Sequence, residues 1–188
     1  MEHKGTVKIE TERLILRRFE PNDISPCFKN WMSDERVTRF LRWLPHESEE
    51  ETARILNMWI DFYKNLPFYQ WAIVPKELGE PIGSISVISV KEKTETIHIG
   101  YCIGFDWWGR GYTSEALEAV IRFFFESVGA LRIESQHDPE NRASGRVMEK
   151  CGMQYEGTLR KSDFSNRGIV DACVYAILAE DYRKKSFA

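Results

Sequence analysis

The fold is decided by one stretch in the middle of the chain, Trp107-Trp108-Gly109-Arg110-Gly111-Tyr112-Thr113-Ser114. Two glycines flank a single residue there, and the apolar periodicity that follows predicts a helix beginning near Ser114. A glycine-rich turn before a helix leaves backbone N–H groups free at the helix N-terminus, where they can bind a phosphate or a pyrophosphate. The stretch therefore predicts an anion-binding turn between a strand and a helix.

Three interpretations of this turn compete on its own residues. A Walker A loop needs the string G-x-x-x-x-G-K-[ST], which the chain lacks. A dinucleotide fingerprint needs G-x-G-x-x-G. Here Ser114 stands where the third glycine belongs, although Glu134 lies at a distance that suits the ribose-binding acid. The third interpretation is a tight turn that binds no ligand. The residues of the turn alone leave the last two interpretations open.

Apolar periodicity on both sides of the turn predicts one domain of mixed strands and helices. Polar turns link three strands before the glycines, which indicates an antiparallel meander, and the strand–turn–helix–strand unit after them indicates a locally parallel pair. The predicted strands cover residues 13–19, 69–74, 82–90, 95–103, 131–136, 153–160 and 170–179. The predicted helices run from Pro21 to about Ser33, from Ser48 to Pro67, from about Ser114 to Gly129, and from Asp138 or Asn141 to Cys151.

The composition predicts a cytoplasmic protein. The formal net charge of −3 offers no strong attraction to nucleic acid or to an anionic membrane. The polar N-terminal residues do not resemble a signal peptide, and no run of about 18 apolar residues predicts a membrane-spanning helix. The four cysteines are widely separated and share no ligand spacing with the four histidines, so we expect reduced thiols and no metal site.

Five segments resemble, in order and spacing, the GCN5-related N-acetyltransferase (GNAT) superfamily: residues 99–104, 107–116, 132–134, 138–144 and 149–153. Together with residues 11–17 they are most similar to the RimJ/RimL type of ribosomal-protein N-terminal acetyltransferases. The resemblance covers residues 11–182 and implies a single α/β (α+β) domain over residues 1–188. In that fold a mixed, mostly antiparallel sheet of about seven strands, with a central splay, is flanked by about four helices.

The resemblance implies that acetyl-CoA binds at the glycine turn. The superfamily pattern there is Arg/Gln-x-x-Gly-x-Gly/Ala, which Gly111 matches and from which Trp108 and Thr113 depart. A backbone amide is present whatever the side chain, so we expect these departures to matter little. The resemblance places the pyrophosphate on the amides of Gly109, Arg110, Gly111, Tyr112, Thr113 and Ser114.

The resemblance also implies how the acetyl group is held. A backbone N–H near a bulge in the third meander strand, within Tyr101, Cys102 and Ile103, would bind the thioester carbonyl oxygen. Asn141 would contact the pantetheine arm or the phosphates, or cap its helix. Ser144, one turn later, would hydrogen-bond the cofactor or its sulfur, or be an ordinary helix hydroxyl.

Two side chains are candidates for the general base that deprotonates the acceptor amine. Glu134 occupies the strand position at which related N-terminal acetyltransferases carry a catalytic glutamate. His98 stands where this branch often has glutamate, and an imidazole with the ordinary pKa of about 6.5 can accept the proton. A related subfamily protonates the thiolate with a tyrosine, whose matching residue here is Met148. A thiol pKa of about 8.5 lets the thiolate leave without a dedicated acid.

The resemblance leaves the amine acceptor open. We expect the N-terminal α-amine of a protein. The alternatives are a small amine, such as an antibiotic, a polyamine or an amino acid, and a non-catalytic CoA-binding regulatory module. Aromatic residues around the N-terminal helices are candidates to line the acceptor pocket, although Trp59 and Phe62 have core spacing. The acidic residues 47–51 could attract a cationic acceptor. This family often dimerises, so a homodimer is a further option, which no apolar stripe supports.

Overall fold

An eight-stranded sheet forms the framework of the protein. A computed structural model describes residues 1–186. The order across the sheet is β1-β2-β3-β4-β5-β6-β8-β7. The strands are β1 (Ile9–Glu10), β2 (Leu14–Arg17), β3 (Gln70–Pro75), β4 (Gly83–Lys91), β5 (Thr96–Ile103), β6 (Arg132–His137), β7 (Gln154–Ser165) and β8 (Gly168–Leu178). The sequence therefore predicted the location of every strand except β1.

The sheet splays apart in its centre. Neighbouring strands pair antiparallel except β5 and β6, which are parallel and joined through a crossover helix. The parallel pairing extends only from Thr96 opposite Arg132 to His98 opposite Glu134. Both strands continue beyond these residues without further pairing, so a gap opens between them. This gap is the central splay that the family resemblance implied.

Within residues 1–186, six α-helices flank the sheet, and no helix is both long and apolar enough to span a membrane. A 3₁₀ turn precedes α1, and π turns follow α1 and α4. The helices are α1 (Ile24–Cys27), α2 (Glu35–Thr38), α3 (Glu49–Phe62), α4 (Tyr112–Phe123), α5 (Arg142–Lys150) and α6 (Ala179–Ser186).

Each face of the sheet has its own apolar core. On one face, Leu117 and Val120 of α4 pack against Ile99 of β5, and all three side chains are fully buried. On the other face, Trp31 and Leu56 pack against the smaller side chains of β3. Burial of each large aliphatic side chain stabilises the fold by about 1.5–3 kcal/mol. The two cores pack against the strands on both faces of the sheet and so fix the position of the splay.

The element count exceeds the expected seven strands and four helices for physical reasons. β1 has two residues and α2 has four, which is too short for a periodic signal. The predicted helix over residues 21–33 is divided into 3₁₀, α and π turns, and Pro26 within it contributes no N–H. Phe62 was predicted to be in the core, but it is the last residue of α3 and is 43% exposed. Trp59, one turn earlier, packs against Phe19 with ring centroids 5.1 Å apart.

The bulge near the splay lies in β4, not in β5 as expected. The register between the two strands shifts between Val87 and Ser89, which leaves Ile88 as the extra residue. The isoleucine side chain extends over Gly100, where a Cβ would come within 2.8 Å of its Cδ1. The glycine in β5 therefore makes room for the side chain of the bulged residue and is not itself a bulge.

Candidate active site

The glycine turn has the backbone geometry of an anion-binding site. Gly109 and Gly111 have φ angles of +73° and +82°, in the left-handed region that residues with a Cβ seldom adopt. Gly111 is the N-cap of α4, so the helix begins at Tyr112 rather than near Ser114. The N–H groups of Tyr112, Thr113 and Ser114 lie in the first turn of α4, where backbone N–H groups have no acceptor within the helix. These amides and the positive end of the helix dipole suit a pyrophosphate.

Arg13 and Glu115 hold this turn in place. The carboxylate of Glu115 accepts hydrogen bonds from the backbone N–H of Arg13 at 2.8 Å, from its Nε at 2.7 Å and from Oγ1 of Thr11 at 2.6 Å. Burial opposes ionisation of Glu115, but these hydrogen bonds outweigh it and lower its pKa. Nη1 of Arg13 also donates to the carbonyl oxygen of Arg110 at 3.0 Å. The sequence predicted Arg13 only as part of a strand and gave no sign of these contacts with Glu115 and Arg110.

Two aromatic side chains of the turn have protein partners of their own. Tyr112 donates its hydroxyl to Glu77 at 2.8 Å, and Trp108 donates its indole N–H to the carbonyl of Ile103 at 2.8 Å. The turn therefore offers its backbone to an anion, while these rings fix its shape.

Backbone alternation in β5 selects which amides face the splay. The carbonyls of Glu95 and Ile99 accept hydrogen bonds from the β6 side, and the N–H of Gly104 donates to the carbonyl of Ile82, immediately before β4. Because N–H and C=O of one strand residue point to the same edge and alternate along the strand, the N–H of Tyr101 faces the splay. Cys102 faces β4 instead. Within the expected carbonyl-binding stretch, the N–H groups of Tyr101 and Ile103 thus face the splay, whereas that of Cys102 faces β4.

Tyr101 connects the splay to α5. Its hydroxyl donates to the carbonyl oxygen of Ser144 at 3.0 Å and lies 3.0 Å from the hydroxyl of the same serine. Burial raises the pKa of Tyr101, so its hydroxyl stays protonated. Asn141 is the N-cap of α5, and its side chain accepts from the N–H of Ser144 at 3.4 Å. The capping role of Asn141 is thus confirmed, and its contact with a cofactor stays a prediction.

His137, which the sequence analysis treated only as a non-ligand, also lies at this site. Its Nδ1 is 2.8 Å from the carbonyl oxygen of Asp138, which can only accept, so Nδ1 carries a hydrogen. Nε2 is buried and has no hydrogen-bond partner among the described residues. A Cβ on Gly145 would come within 2.6 Å of Nε2, so a larger residue there must displace the ring. Such an orphan ring nitrogen needs a partner from elsewhere.

His98 and Glu134 lie opposite each other in register, with His98 Nδ1 3.8 Å from Glu134 Oε1. Lys91 Nζ donates to Oε1 of Glu134 at 2.6 Å, and Arg132 Nε donates to its Oε2 at 3.2 Å. Burial opposes ionisation of Glu134, but these bonds prevail and lower its pKa. Burial also lowers the pKa of His98, and the nearby carboxylate offsets this only in part. His98 is therefore mainly uncharged at pH 7, whereas the carboxylate of Glu134 is engaged by Lys91 and Arg132.

A cavity of about 270 Å³ joins these residues. His98, Tyr101, Asn141 and Ser144 line it, but Glu134 lies outside its lining. Cys102 also lines the cavity, and burial raises its pKa to about 11. That thiol is un-ionised at neutral pH and is unsuited to carry an acetyl group. The remaining lining includes a group of aromatic side chains from the N-terminal half: Trp31, Phe40, Trp43 and Trp59.

Residues 13–154 match the acetyltransferase (GNAT) domain family. The chain belongs to this family. Its members transfer the acetyl group of acetyl-CoA, so the protein is an acetyl-CoA-dependent N-acetyltransferase with a mixed α/β GNAT fold. The glycine turn and the unpartnered Nε2 of His137 fit such a ligand, which carries both a pyrophosphate and amide groups. Met148 is fully buried, so the tyrosine that acts as acid in a related subfamily has no functional replacement there.

Relatives of this GNAT domain cover nearly the whole chain. The N-acetyltransferase YoaA of Bacillus subtilis (strain 168) is 32% identical over 170 residues, which are 90% of this chain and 96% of YoaA. The [ribosomal protein uS5]-alanine N-acetyltransferase of Escherichia coli (strain K12) is 28% identical over 159 residues, 80% of each chain. The crystal structure of a GNAT-family acetyltransferase from Bacillus anthracis superimposes with a TM-score of 0.80 at 29% identity, covering 93% of this chain and 99% of that one.

Proposed function

We propose that this GNAT enzyme acetylates the N-terminal α-amine of a protein by direct attack on acetyl-CoA in a ternary complex. The observation that carries the proposal is the position of the His98 imidazole on the cavity wall, where burial lowers its pKa and so favours the form that can accept a proton. An α-amine has a pKa of about 7.7–8.0, which a histidine can deprotonate, whereas a lysine amine, with a pKa of about 10.4, needs a stronger base. The similarity to an alanine N-acetyltransferase of a ribosomal protein supports the same acceptor class and a cytoplasmic site of action.

In this mechanism His98 accepts the proton that the attacking amine loses. Glu134, 3.8 Å away, favours the imidazolium that then forms and acts as a positioning residue. The N–H of Tyr101 faces the splay and donates to the carbonyl oxygen as negative charge develops there, an effect of about 3–4 kcal/mol in comparable sites. Acetyl-CoA supplies the thioester carbon that bonds to the amine nitrogen and a thiol of pKa about 8.5 that departs.

Thiol release with acetyl-CoA tests the activity against short peptides beginning with Ala, Ser or Met, together with polyamines and aminoglycosides. Mass spectrometry of the product locates the acetyl group. Acetylation of the peptide α-amine supports the proposal. Turnover of the small amines, with none of the peptides, would establish the alternative acceptor class.

Replacement of His98 separates the two candidate bases. We expect His98→Gln to lower kcat about 100-fold or more, the range of a lost general base. Glu134→Gln should reduce kcat by about tenfold or less and shift the acidic limb of the pH–rate profile to lower pH, because the carboxylate that raises the pKa of His98 is lost. CoA-induced thermal stabilisation of both variants is the control for folding. Near-normal kcat in the glutamine variant of His98, with complete loss in that of Glu134, would reverse the assignment.

A further inference from the structure

The acceptor side of the cavity has an aromatic wall. We call it the acceptor pocket and define it by Trp31, Phe40, Trp43 and Trp59, on the face of the sheet that carries His98. Trp31 is 1% exposed, and its ring meets that of Trp43 edge-on, with centroids 6.0 Å apart. The half-buried rings of Phe40, Trp43 and Trp59 offer apolar surface to a group attached beside the reacting amine. Trp31 is buried and packs against Trp43.

The carboxylates around this wall are already occupied. Oδ1 of Asp163 accepts from Nε of Arg42 at 3.0 Å and from the N–H of Phe164 at 2.8 Å, and its Oδ2 accepts from Gln136 at 2.6 Å. Asp163 therefore has no net charge to spare for a ligand. An additional ammonium group in the pocket would lose its water without gaining an ionic partner, which is costly.

Asp138 is the other carboxylate in the lining, and it is also occupied. Its Oδ1 accepts from the N–H of Glu140 at 2.9 Å, and its Oδ2 accepts from Arg167 at 2.8 Å. The described lining thus contains two acidic side chains, and each is neutralised by an arginine. This charge balance disfavours acceptors with several ammonium groups.

One amide fixes the shape of the pocket. Asn166, in the turn between β7 and β8, donates through Nδ2 to the carbonyls of Thr38 at 2.9 Å and Trp43 at 2.8 Å. Its backbone N–H donates to the carbonyl of Leu41 at 2.9 Å. Residues 38–43 are therefore fastened across the hairpin before any ligand binds, which lowers the entropy cost of binding.

We propose that the acceptor is a monoamine with an apolar group next to the amine: a chain that begins with Met, Leu or Phe. The proposal rests on the proposed function and adds the identity of the first side chain. The whole cavity, which includes the side lined by Tyr101 and Ser144, measures about 270 Å³ and lies at the low end of ligand sites, so its acceptor side has room for about one residue-sized group. The apolar side chain packs on Trp43 and Trp59, and the amine faces His98.

Peptides identical after the first residue provide the test. We expect kcat/KM for Met, Leu or Phe to exceed that for Ser, Asp or Lys by about tenfold or more, the discrimination typical of an apolar pocket. Spermidine should not be acetylated. Equal use of the Asp or Lys peptide, or turnover of spermidine, would overturn the proposal.

Two matched variants locate the preference. Trp43→Ala should lower kcat/KM for the Phe peptide about tenfold and change that for the Ser peptide little, whereas Leu44→Ala, whose side chain is 71% exposed, should change neither. Arg42→Ala releases negative charge at Asp163 and should lower the KM of the Lys peptide. An unchanged first-residue preference in Trp43→Ala would contradict the pocket assignment.

The same experiments separate the two proposals. CoA-induced thermal stabilisation confirms that each variant is folded and binds CoA. If no peptide is acetylated but phenethylamine is, the proposed function is wrong and the apolar preference of the pocket is supported. If Ser and Ala peptides are acetylated as well as the Phe peptide, the proposed function stands and the pocket preference fails.

Discussion

At the site, neighbouring side chains differ in their availability for chemistry. The family resemblance made His98 and Glu134 the two candidate bases, and the structure places them opposite each other. It did not predict that Lys91 and Arg132 engage the carboxylate, because the lysine is 43 residues distant in sequence and a pairwise contact of that kind leaves no local pattern. Residue identity therefore indicated the candidates, and only tertiary packing distinguished their roles.

Gly145→Ala tests the buried nitrogen of His137. Alanine alone should favour the helix by up to about 1 kcal/mol, but its Cβ would lie 2.6 Å from Nε2 and displace the imidazole. We expect CoA affinity to fall about tenfold, as for a lost buried hydrogen bond, measured by isothermal titration calorimetry. The double variant Gly145→Ala, His137→Ala should bind CoA as tightly as His137→Ala alone, because the ring that the new Cβ would displace is absent. A single variant that binds CoA like the wild type would contradict this role.

At the level of elements, the sequence predicted helix ends well where capping chemistry is local. Ser48, the predicted first residue of its helix, accepts from the N–H of Glu51 at 3.3 Å, and Gly129, the predicted end of the next, follows its helical segment at a φ of +79°. The start of α4 was predicted two residues late because a Gly N-cap has no side-chain signal. The bulge at Ile88 was missed because it depends on the fit across two strands.

Gly111→Ala tests the turn as an element. Alanine is strained at a φ of +82°, so we expect a loss of about 1 kcal/mol or more in the free energy of unfolding and a weaker affinity for CoA. Gly79→Ala is the control, because Gly79 has a similar φ of +75° and open space around it, in the turn before β4. It should lose comparable stability by urea unfolding and keep its CoA affinity. Equal loss of affinity in both variants would show that strain alone is responsible.

For the whole molecule, the order of strands and helices predicted a mixed sheet with a central parallel pair, and the structure confirms it. This order was predictable because each layer has a strong periodic signal, with α3 and α4 amphipathic and the meander strands rich in β-branched residues. The sequence offered aromatic residues around the N-terminal helices as pocket lining, but it did not predict how residues 38–43 are held. They meet the β7–β8 turn through Asn166, more than 120 positions away.

The pH dependence of stability is a property of the whole chain to which His98 contributes. Its pKa is lower in the folded state than the ordinary value of about 6.5, so the unfolded state binds more protons as the pH falls. This contribution is complete above pH 6.5 or so and is lost as the pH falls through the folded-state pKa. We expect urea unfolding to show a steeper loss of stability from about pH 7 to about pH 5 in the wild type than in His98→Gln. Parallel curves would exclude the shift.

The two outer strands of the sheet bear on how the protein avoids fibre growth. β1 has only two residues, and the pairing of β7 is interrupted twice, near Gly157 and near Lys161, whose φ of +49° turns the strand. Tyr155 and Leu159 are both 55% exposed along that strand. On a flat edge such side chains would invite strand addition from another chain. The short β1 and the interruptions in β7 shorten the continuous row of hydrogen-bonding groups that strand addition would use.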